Sequence, residues 1–244
     1  MDLRNCTKQE LSQMPYEYVC EAYYQHNPNA VWILGVFFRH GKNGAPQNYE
    51  KARQLLEIAY EYEGAGSGFI LGNIYEEGLG TTVDLKKAED YYCAFSEETH
   101  DPTGYSAAAF LYLKNENLPN RDEKIPEYLK KSEALGGCPL SDTLIGQLYI
   151  AGTPDFPKDI NKAVFYLERS KNYKILGDLF SDEKNIEPNY KLASYYYELG
   201  MSDNMDCCAK YAFLNLYYGS INESWTNVPK GISVAKKYLK TNNN

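Results

Sequence analysis

Apolar and small residues recur along this chain three and four positions apart, and whole groups of them return at a longer, fixed interval. Leu34-Gly35, Leu71-Gly72, Ala108-Ala109 and Ile145-Gly146 stand 37 residues apart. Four residues after the first member of each pair comes a ring: Phe38, Tyr75, Tyr112, Tyr149. Four before it comes a small residue: Ala30, Ser67, Gly104, Ser141. Seven after it, in three copies, comes a glycine: Gly41, Gly78, Gly152. Spacings of four and seven put these positions on one side of an α-helix, helix A of a repeating unit. Glycine inside a helix costs about 1 kcal/mol relative to alanine. Its return at Gly35, Gly72, Gly146 and Gly177 points to close backbone approach of a neighbouring helix, where a Cβ would clash.

A second helix, B, follows each A. Its signature is Lys-Ala and then two large residues: Lys51-Ala52 with Leu55-Leu56, Lys87-Ala88 with Tyr91-Tyr92, Lys162-Ala163 with Tyr166-Leu167. Looser copies are Lys124-Ile125 with Tyr128-Leu129, Lys191-Leu192 with Tyr195-Tyr196, and Ala235 with Tyr238-Leu239. This i, i+3, i+4 stripe is the buried face of an amphipathic helix. Asn48, Asp84 and Asp159 stand three residues before the Lys, where their side chains can cap the first turn. The prolines fall between helices, with Pro126 in the first turn of a helix B, where its missing N–H costs little. A fifth copy begins at Leu176-Gly177 and a sixth at Ala212-Phe213. Residues 3–26 show Cys20 with Tyr23-Tyr24, a helix B stripe without its helix A.

A fixed period of this length marks a stacked array of helical hairpins. The best copy runs Leu71-Gly72, Tyr75, Gly78, Gly80, Asp84, Lys87-Ala88 and Tyr91-Tyr92. It resembles the Sel1-like repeat, a relative of the tetratricopeptide repeat, with Thr81 where a Val is usual. The resemblance covers roughly residues 30–240. It implies an all-α fold, a right-handed α–α superhelix (solenoid) of about six helix-pair repeats with an N-terminal capping half-repeat. Residues 1–28 are then the helical cap, 29–240 the array and 241–244 a polar tail.

Composition narrows the functional classes. The net charge is −8 and no Lys/Arg run exceeds two, which argues against nucleic acid and against an anionic membrane surface. No stretch approaches the roughly 20 apolar residues of a membrane span. Residues 1–21 lack the apolar core of a secretory signal. Six cysteines do not recur at a repeat position, unlike the paired cysteines of the family's secreted branch. Reduced thiols in a cytoplasm are the expectation. Of 33 Phe and Tyr residues 24 are Tyr, so rings serve either packing between helices A and B or, where exposed, anchoring of a partner.

Chemistry leaves little trace. His26, His40 and His100 are isolated and no Cys-x-x-Cys exists, so no metal is expected. Gly64-Ala65-Gly66-Ser67-Gly68 lies between two helices without a following Lys-Ser/Thr and reads as a turn. Glu76-Glu77 and Glu97-Glu98 read as exposed helix ends. No cofactor and no enzymatic site is expected. The resemblance implies instead a non-catalytic adaptor or scaffold that binds a protein or peptide in a concave groove lined by the A helices. Short members of the family also resemble cytoplasmic immunity proteins that neutralise a bacterial toxin. Position +2 from the Leu lies about 200° around the helix from it and varies freely, as does +6 on a nearby face. The expected partner-binding residues are therefore Val36, Asn73, Phe110, Gln147 and Asp178 at +2, with His40, Glu77 and Lys114 at +6.

Overall fold

A computed structural model of the chain describes residues 2–217 and 233–234. Thirteen α-helices and no strand occur among the described residues. The first of two compact units runs through Cys138 and the second begins at Pro139. The first unit holds α1 (Lys8–Ser12), α2 (Tyr16–Tyr24), α3 (Pro28–His40), α4 (Tyr49–Glu63), α5 (Gly68–Glu77), α6 (Leu85–Thr99), α7 (Thr103–Lys114) and α8 (Arg121–Ala134). The second holds α9 (Pro139–Ala151), α10 (Ile160–Arg169), α11 (Tyr173–Ser181), α12 (Tyr190–Gly200) and α13 (Met205–Tyr217). From α3 onward the helices pair as A and B: α3 with α4, α5 with α6, α7 with α8, α9 with α10, α11 with α12. The expected sixth helix B at Ala235–Leu239, Pro229 and the tail lie outside the described residues.

One contact sets the spacing within four of the five pairs, all but α7 with α8. The glycine of each Leu-Gly receives the second large residue of its own helix B. A Cβ on Gly35 would stand 2.7 Å from Leu56 Cγ, and one on Gly146 would stand 2.7 Å from Leu167 Cγ. At Gly72 and Gly177 the rings of Tyr92 and Tyr197 occupy that space. The glycine is thus required by a side chain more than by a neighbouring backbone. Backbone approach does occur, one turn earlier. A Cβ on Gly104 would collide with the Tyr92 carbonyl oxygen of the preceding α6, and Ser67 Oγ donates to Leu56 O of the preceding α4 at 3.3 Å. The small residue at −4 therefore seats helix A on the helix B before it.

The Lys and the rings of the motif form a second shared contact. The +4 ring of helix A stacks on the first large ring of helix B: Tyr75 on Tyr91 at 5.6 Å, Tyr149 on Tyr166 at 5.9 Å, Phe180 on Tyr196 at 5.7 Å. The Lys of Lys-Ala lies over the same A ring, Lys51 at 5.5 Å from Phe38, Lys87 at 4.9 Å from Tyr75 and Lys162 at 5.2 Å from Tyr149. A cation over a ring face, with its ammonium still in contact with water, contributes about 0.5–1 kcal/mol. Asn48, Asp84 and Asp159 accept the N–H of Lys51, Lys87 and Lys162 at 2.9–3.0 Å, the expected caps.

Several local expectations need correction. Gly41, Gly78 and Gly152 do not lie on the helix face. They end it, with φ of 62°, 69° and 78°, a left-handed turn that glycine takes without steric cost. Pro126 is the sixth residue of α8, which begins at Arg121, and so lies in its second turn and not in its first. The fifth helix B is shifted by one: Ala193, Tyr196 and Tyr197 are buried while Tyr195 is exposed, and Asn189 caps the helix through Leu192 N. Lys191 is a decoy there. The sixth helix A is shifted as well. Tyr211, Ala212 and Leu214 face the core and Phe213 is 59% exposed, so the matching pair is Tyr211-Ala212. In α2 the buried residues are Val19 and Ala22, while Tyr23 and Tyr24 are exposed. Of the stripe expected from Cys20 to Tyr24, Cys20 is half-buried against the core and only the two rings point outward.

Between pairs, buried acids collect tyrosine hydroxyls. Glu89 accepts from Tyr112 at 3.0 Å and from Tyr128, with Lys86 at 3.1 Å. Burial pushes its carboxyl up, but the hydrogen bonds from Tyr128, Lys86 and Tyr112 outweigh that and hold it below the ordinary value. At the surface, Tyr196 OH donates to the exposed Glu168 at 2.7 Å.

Two outcomes follow from these contacts. Gly146→Ala should destabilise by about 1–3 kcal/mol in urea unfolding, since its Cβ overpacks against Leu167, whereas Gly66→Ala, with nothing within 4 Å, should be neutral or stabilising by up to about 1 kcal/mol. Glu89→Gln should cost about 1.5–3 kcal/mol at neutral pH, the range for hydrogen bonds to a charged group. The folded-state pKa of Glu89 lies below the unfolded value of roughly 4.3. Its contribution is therefore complete above that value and is lost as pH falls through the folded pKa. The wild-type and variant urea midpoints should converge in acid.

Candidate functional site

Core packing consumes positions −4, 0, +1, +3 and +4 of each helix A. What remains for recognition is +2 and +6, and the copies differ in how free these are. At +2, Phe110 is 42% exposed and Gln147 is exposed, while Val36 and Asn73 are half-buried. The Asn73 amide donates to Phe69 O at 2.7 Å, within its own helix. Phe213 joins this series once the sixth copy is set in register. Sequence reasoning missed it because it was matched to the glycine position. At +6, His40, Glu77, Lys114 and Ala151 are exposed and Asp182 is half-buried.

Asp178 is engaged from three sides. Tyr197 OH donates to it at 2.7 Å, Lys210 Nζ at 2.6 Å and Lys174 Nζ at 2.9 Å. Burial raises its pKa, but hydrogen bonds from Lys210, Tyr197 and Lys174 prevail and keep it below the ordinary carboxylate range. It ties α11 to α12 and α13 and remains a fixed negative charge. Glu76 also departs from the expected exposed helix end. It accepts from Tyr92 OH at 2.8 Å and pairs with Lys114 at 3.2 Å. Lys114 is thereby anchored across two successive A helices of the first unit. Burial and the neighbouring Arg39 and Lys42 charges hold His40 below its ordinary pKa.

In the second unit the expected positions of two successive copies come together. Gln147 and Ala151 of α9, with Asp178 and Asp182 of α11 and its following turn, line one cavity of about 390 Å³. Ile150 and Ile175 supply apolar surface to it. The expected residues of the first unit, Val36, His40, Asn73, Glu77, Phe110 and Lys114, do not line this cavity. Sequence reasoning also missed the exposed rings Tyr23, Tyr24 and Tyr62. The signal was the excess of Tyr, which does not say which rings are packed.

Among the described residues no group of three or more His, Cys, Asp or Glu side chains could hold a metal ion. Burial pushes the Cys93 and Cys207 thiols up to about 11, away from the thiolate needed of a nucleophile. No helix among the described residues is long and apolar enough to cross a membrane.

Comparison with known proteins agrees with this architecture. A crystal structure of a Sel1 repeat protein from Oxalobacter formigenes superposes with a TM-score of 0.71 at 17% identity, covering 96% of this chain and 100% of that one. The structure of c5321, a protective antigen of uropathogenic Escherichia coli displaying an SLR fold, gives 0.68 at 16% identity, covering 91% and 47%. In sequence, cytochrome c oxidase assembly factor 7 of Xenopus tropicalis is 26% identical over 178 residues, which span 70% of this chain and 75% of that protein. The Sel1 repeat model matches residues 28–61, 69–100, 140–172 and 176–201, leaving out the third copy with its Ala108-Ala109. With those matches over just over half of its length and the Sel1-like solenoid fold throughout its paired helices, the chain belongs to the Sel1 repeat family.

Proposed function

We propose that the chain is a non-catalytic protein-binding module, an adaptor or scaffold, that holds a partner protein or peptide along the groove face of its A helices. Sel1 repeats generally mediate protein binding, and the fold leaves +2 and +6 as the positions whose chemistry is not dictated by packing. The observation that carries the reading is the cavity shared by Gln147, Ala151, Asp178 and Asp182 beside Ile150 and Ile175. Apolar surface with a few convergent polar groups is the composition of a recognition site. Phe213 occupies in α13 the place that Gln147 and Asp178 hold in α9 and α11, and an exposed ring there is an anchor of the type that dominates interfaces. The cytoplasm is the compartment of this reading, and no catalytic step belongs to it.

The test is affinity capture with the tagged full-length chain from cells of its own source. The comparison is a Gln147→Lys, Phe213→Ser double variant, whose changes are exposed and whose thermal midpoint should stay within a few degrees of wild type. A partner retrieved by the wild type should fall about tenfold in the variant, the loss of one hot spot. Recovery of the same proteins by both, or of nothing above background by the wild type, would sink the proposal. A toxin among the proteins lost would specify the partner as the target of an immunity protein.

A further inference from the structure

At the amino-terminal end of the first unit, a cavity of about 810 Å³ opens that no +2 or +6 position enters. The end of α2 gives it Tyr23 and Tyr24, the end of α4 gives Ile58, Glu61 and Tyr62, and α3 gives Val31. Tyr62 is 84% exposed and Tyr24 77%. The other tyrosines among the described residues are less open: Tyr18, Tyr195 and Tyr217 are 47%, 54% and 56% exposed, and rings such as Tyr75, Tyr92 and Tyr128 pack between helices and donate their hydroxyls to Glu57, Glu76 and Glu89. These two rings are instead largely open to solvent at the margin of an apolar cavity. Large exposed rings so placed are what an interface uses, not what a fold needs.

The charge around the cavity has one sign. No Lys or Arg is among its lining residues, and Glu61 is. The α2 segment carries Glu17 and Glu21 and no basic residue, and α4 from Gln54 to Tyr62 carries Glu57 and Glu61 with none. The nearest basic residue of α4, Arg53, is committed to Glu57 at 2.7 Å. Lys8 of α1 stands over the Trp32 ring at 5.3 Å. Both α2 and α4 end at the cavity, and a helix carboxyl end carries partial negative charge that favours a cation. The amino end of α3, which also borders it, is closed. Pro28 has no N–H, Asn29 N donates to Asn27 Oδ1 at 2.9 Å, and Ala30 N donates to Asn27 O at 3.2 Å. His26 is the one lining side chain able to take a positive charge.

We infer that this cavity is a second binding site, for a segment of a partner protein in which an arginine or lysine stands next to an aliphatic residue. The aliphatic side chain lies against Val31 and Ile58. The cation lies over the Tyr24 and Tyr62 rings, whose faces attract it, with Glu61 as its counter-charge. Nothing in this site depends on the groove face of the A helices.

A fluorescein-labelled peptide of alternating arginine and leucine, titrated into the full-length chain and read by polarisation, tests the site. A glutamate–leucine peptide of equal length is the control. The arginine peptide should bind and the control should not. Tyr62→Ala, at a position too exposed to affect folding, should weaken binding about tenfold. Glu61→Lys should weaken it several-fold, more at low salt than at high, while Gln147→Lys in the second unit should leave it unchanged. In amide NMR spectra the peptide should shift resonances of α2 and the end of α4. Equal binding of the two peptides, insensitivity to both Tyr62→Ala and Glu61→Lys, or shifts confined to residues beyond Cys138 would each overturn the inference. So would a sedimentation profile in which Tyr62→Ala converts a dimer to a monomer, since the occupant would then be a second copy of the chain.

Discussion

The absence of a Cβ at one position of helix A governs the rest of the structure. With glycine at 35, 72, 146 and 177, the second large residue of helix B sinks against the A backbone, and the distance between the paired helices is fixed by that side chain. Once the helices are this close, the +4 ring of A and the first large residue of B meet face to face, as Tyr75 and Tyr91 do. The Lys one residue before the small position then has only the upper face of that ring to cover. Cap, cation, ring pair and glycine are thus consequences of a single close packing and not four independent motifs. Interiors of protein density transmit such a constraint without slack.

A second constraint joins one pair to the next. The small residue at −4 lets helix A rest on the carbonyl row of the preceding helix B, as Gly104 does on Tyr92. The same interface carries polar cross-links: Glu89 receives the hydroxyls of Tyr112 and Tyr128, and Glu57 receives that of Tyr75. Buried acids with donors on several sides fix one orientation of neighbouring helices, because a half-satisfied set is costly. The third copy shows that these links substitute for the motif. It lacks the Leu-Gly and the Lys-Ala, yet α7 and α8 pair like the others, with Ala109 in place of the glycine and Glu89 at the junction.

This division explains what could be read in advance. The 37-residue recurrence and the caps at Asn48, Asp84 and Asp159 are legible because each rests on one residue type that packing or backbone geometry demands. Registers fail where a decoy supplies the same letters one place away. Lys191 mimics the Lys of the motif while Asn189 caps the helix one residue late, and Phe213 sits where a glycine is sought although Ala212 fills that role. Pro126 misleads because it lies in the second turn of α8, not in the first. The candidate site is legible only as geometry: +2 and +6 lie off the packed face of helix A, exposed at Phe110, Gln147, His40, Glu77 and Lys114 but half-buried at Val36, Asn73, Asp178 and Asp182. Which of them is spent elsewhere depends on partners far along the chain, such as Lys210 on Asp178, and spacing within one repeat carries no information about those. The same holds for the rings of Tyr24 and Tyr62, since tyrosine serves the core and the surface with equal ease.

In the proposed function, recognition falls to what stability leaves over. Asp178 holds α11, α12 and α13 together, and a residue with that duty cannot vary to suit a ligand without loosening the unit. Lys114 is similarly held by Glu76. Gln147, Ala151, Phe110 and Phe213 have no such duty in the geometry, and the exposed tyrosines at the cap have none either. An array of this kind can therefore change its partner by altering side chains that the paired helices never use. The glycine contact that builds each pair is untouched by such changes, so fold and specificity are set by separate residues of the same helix.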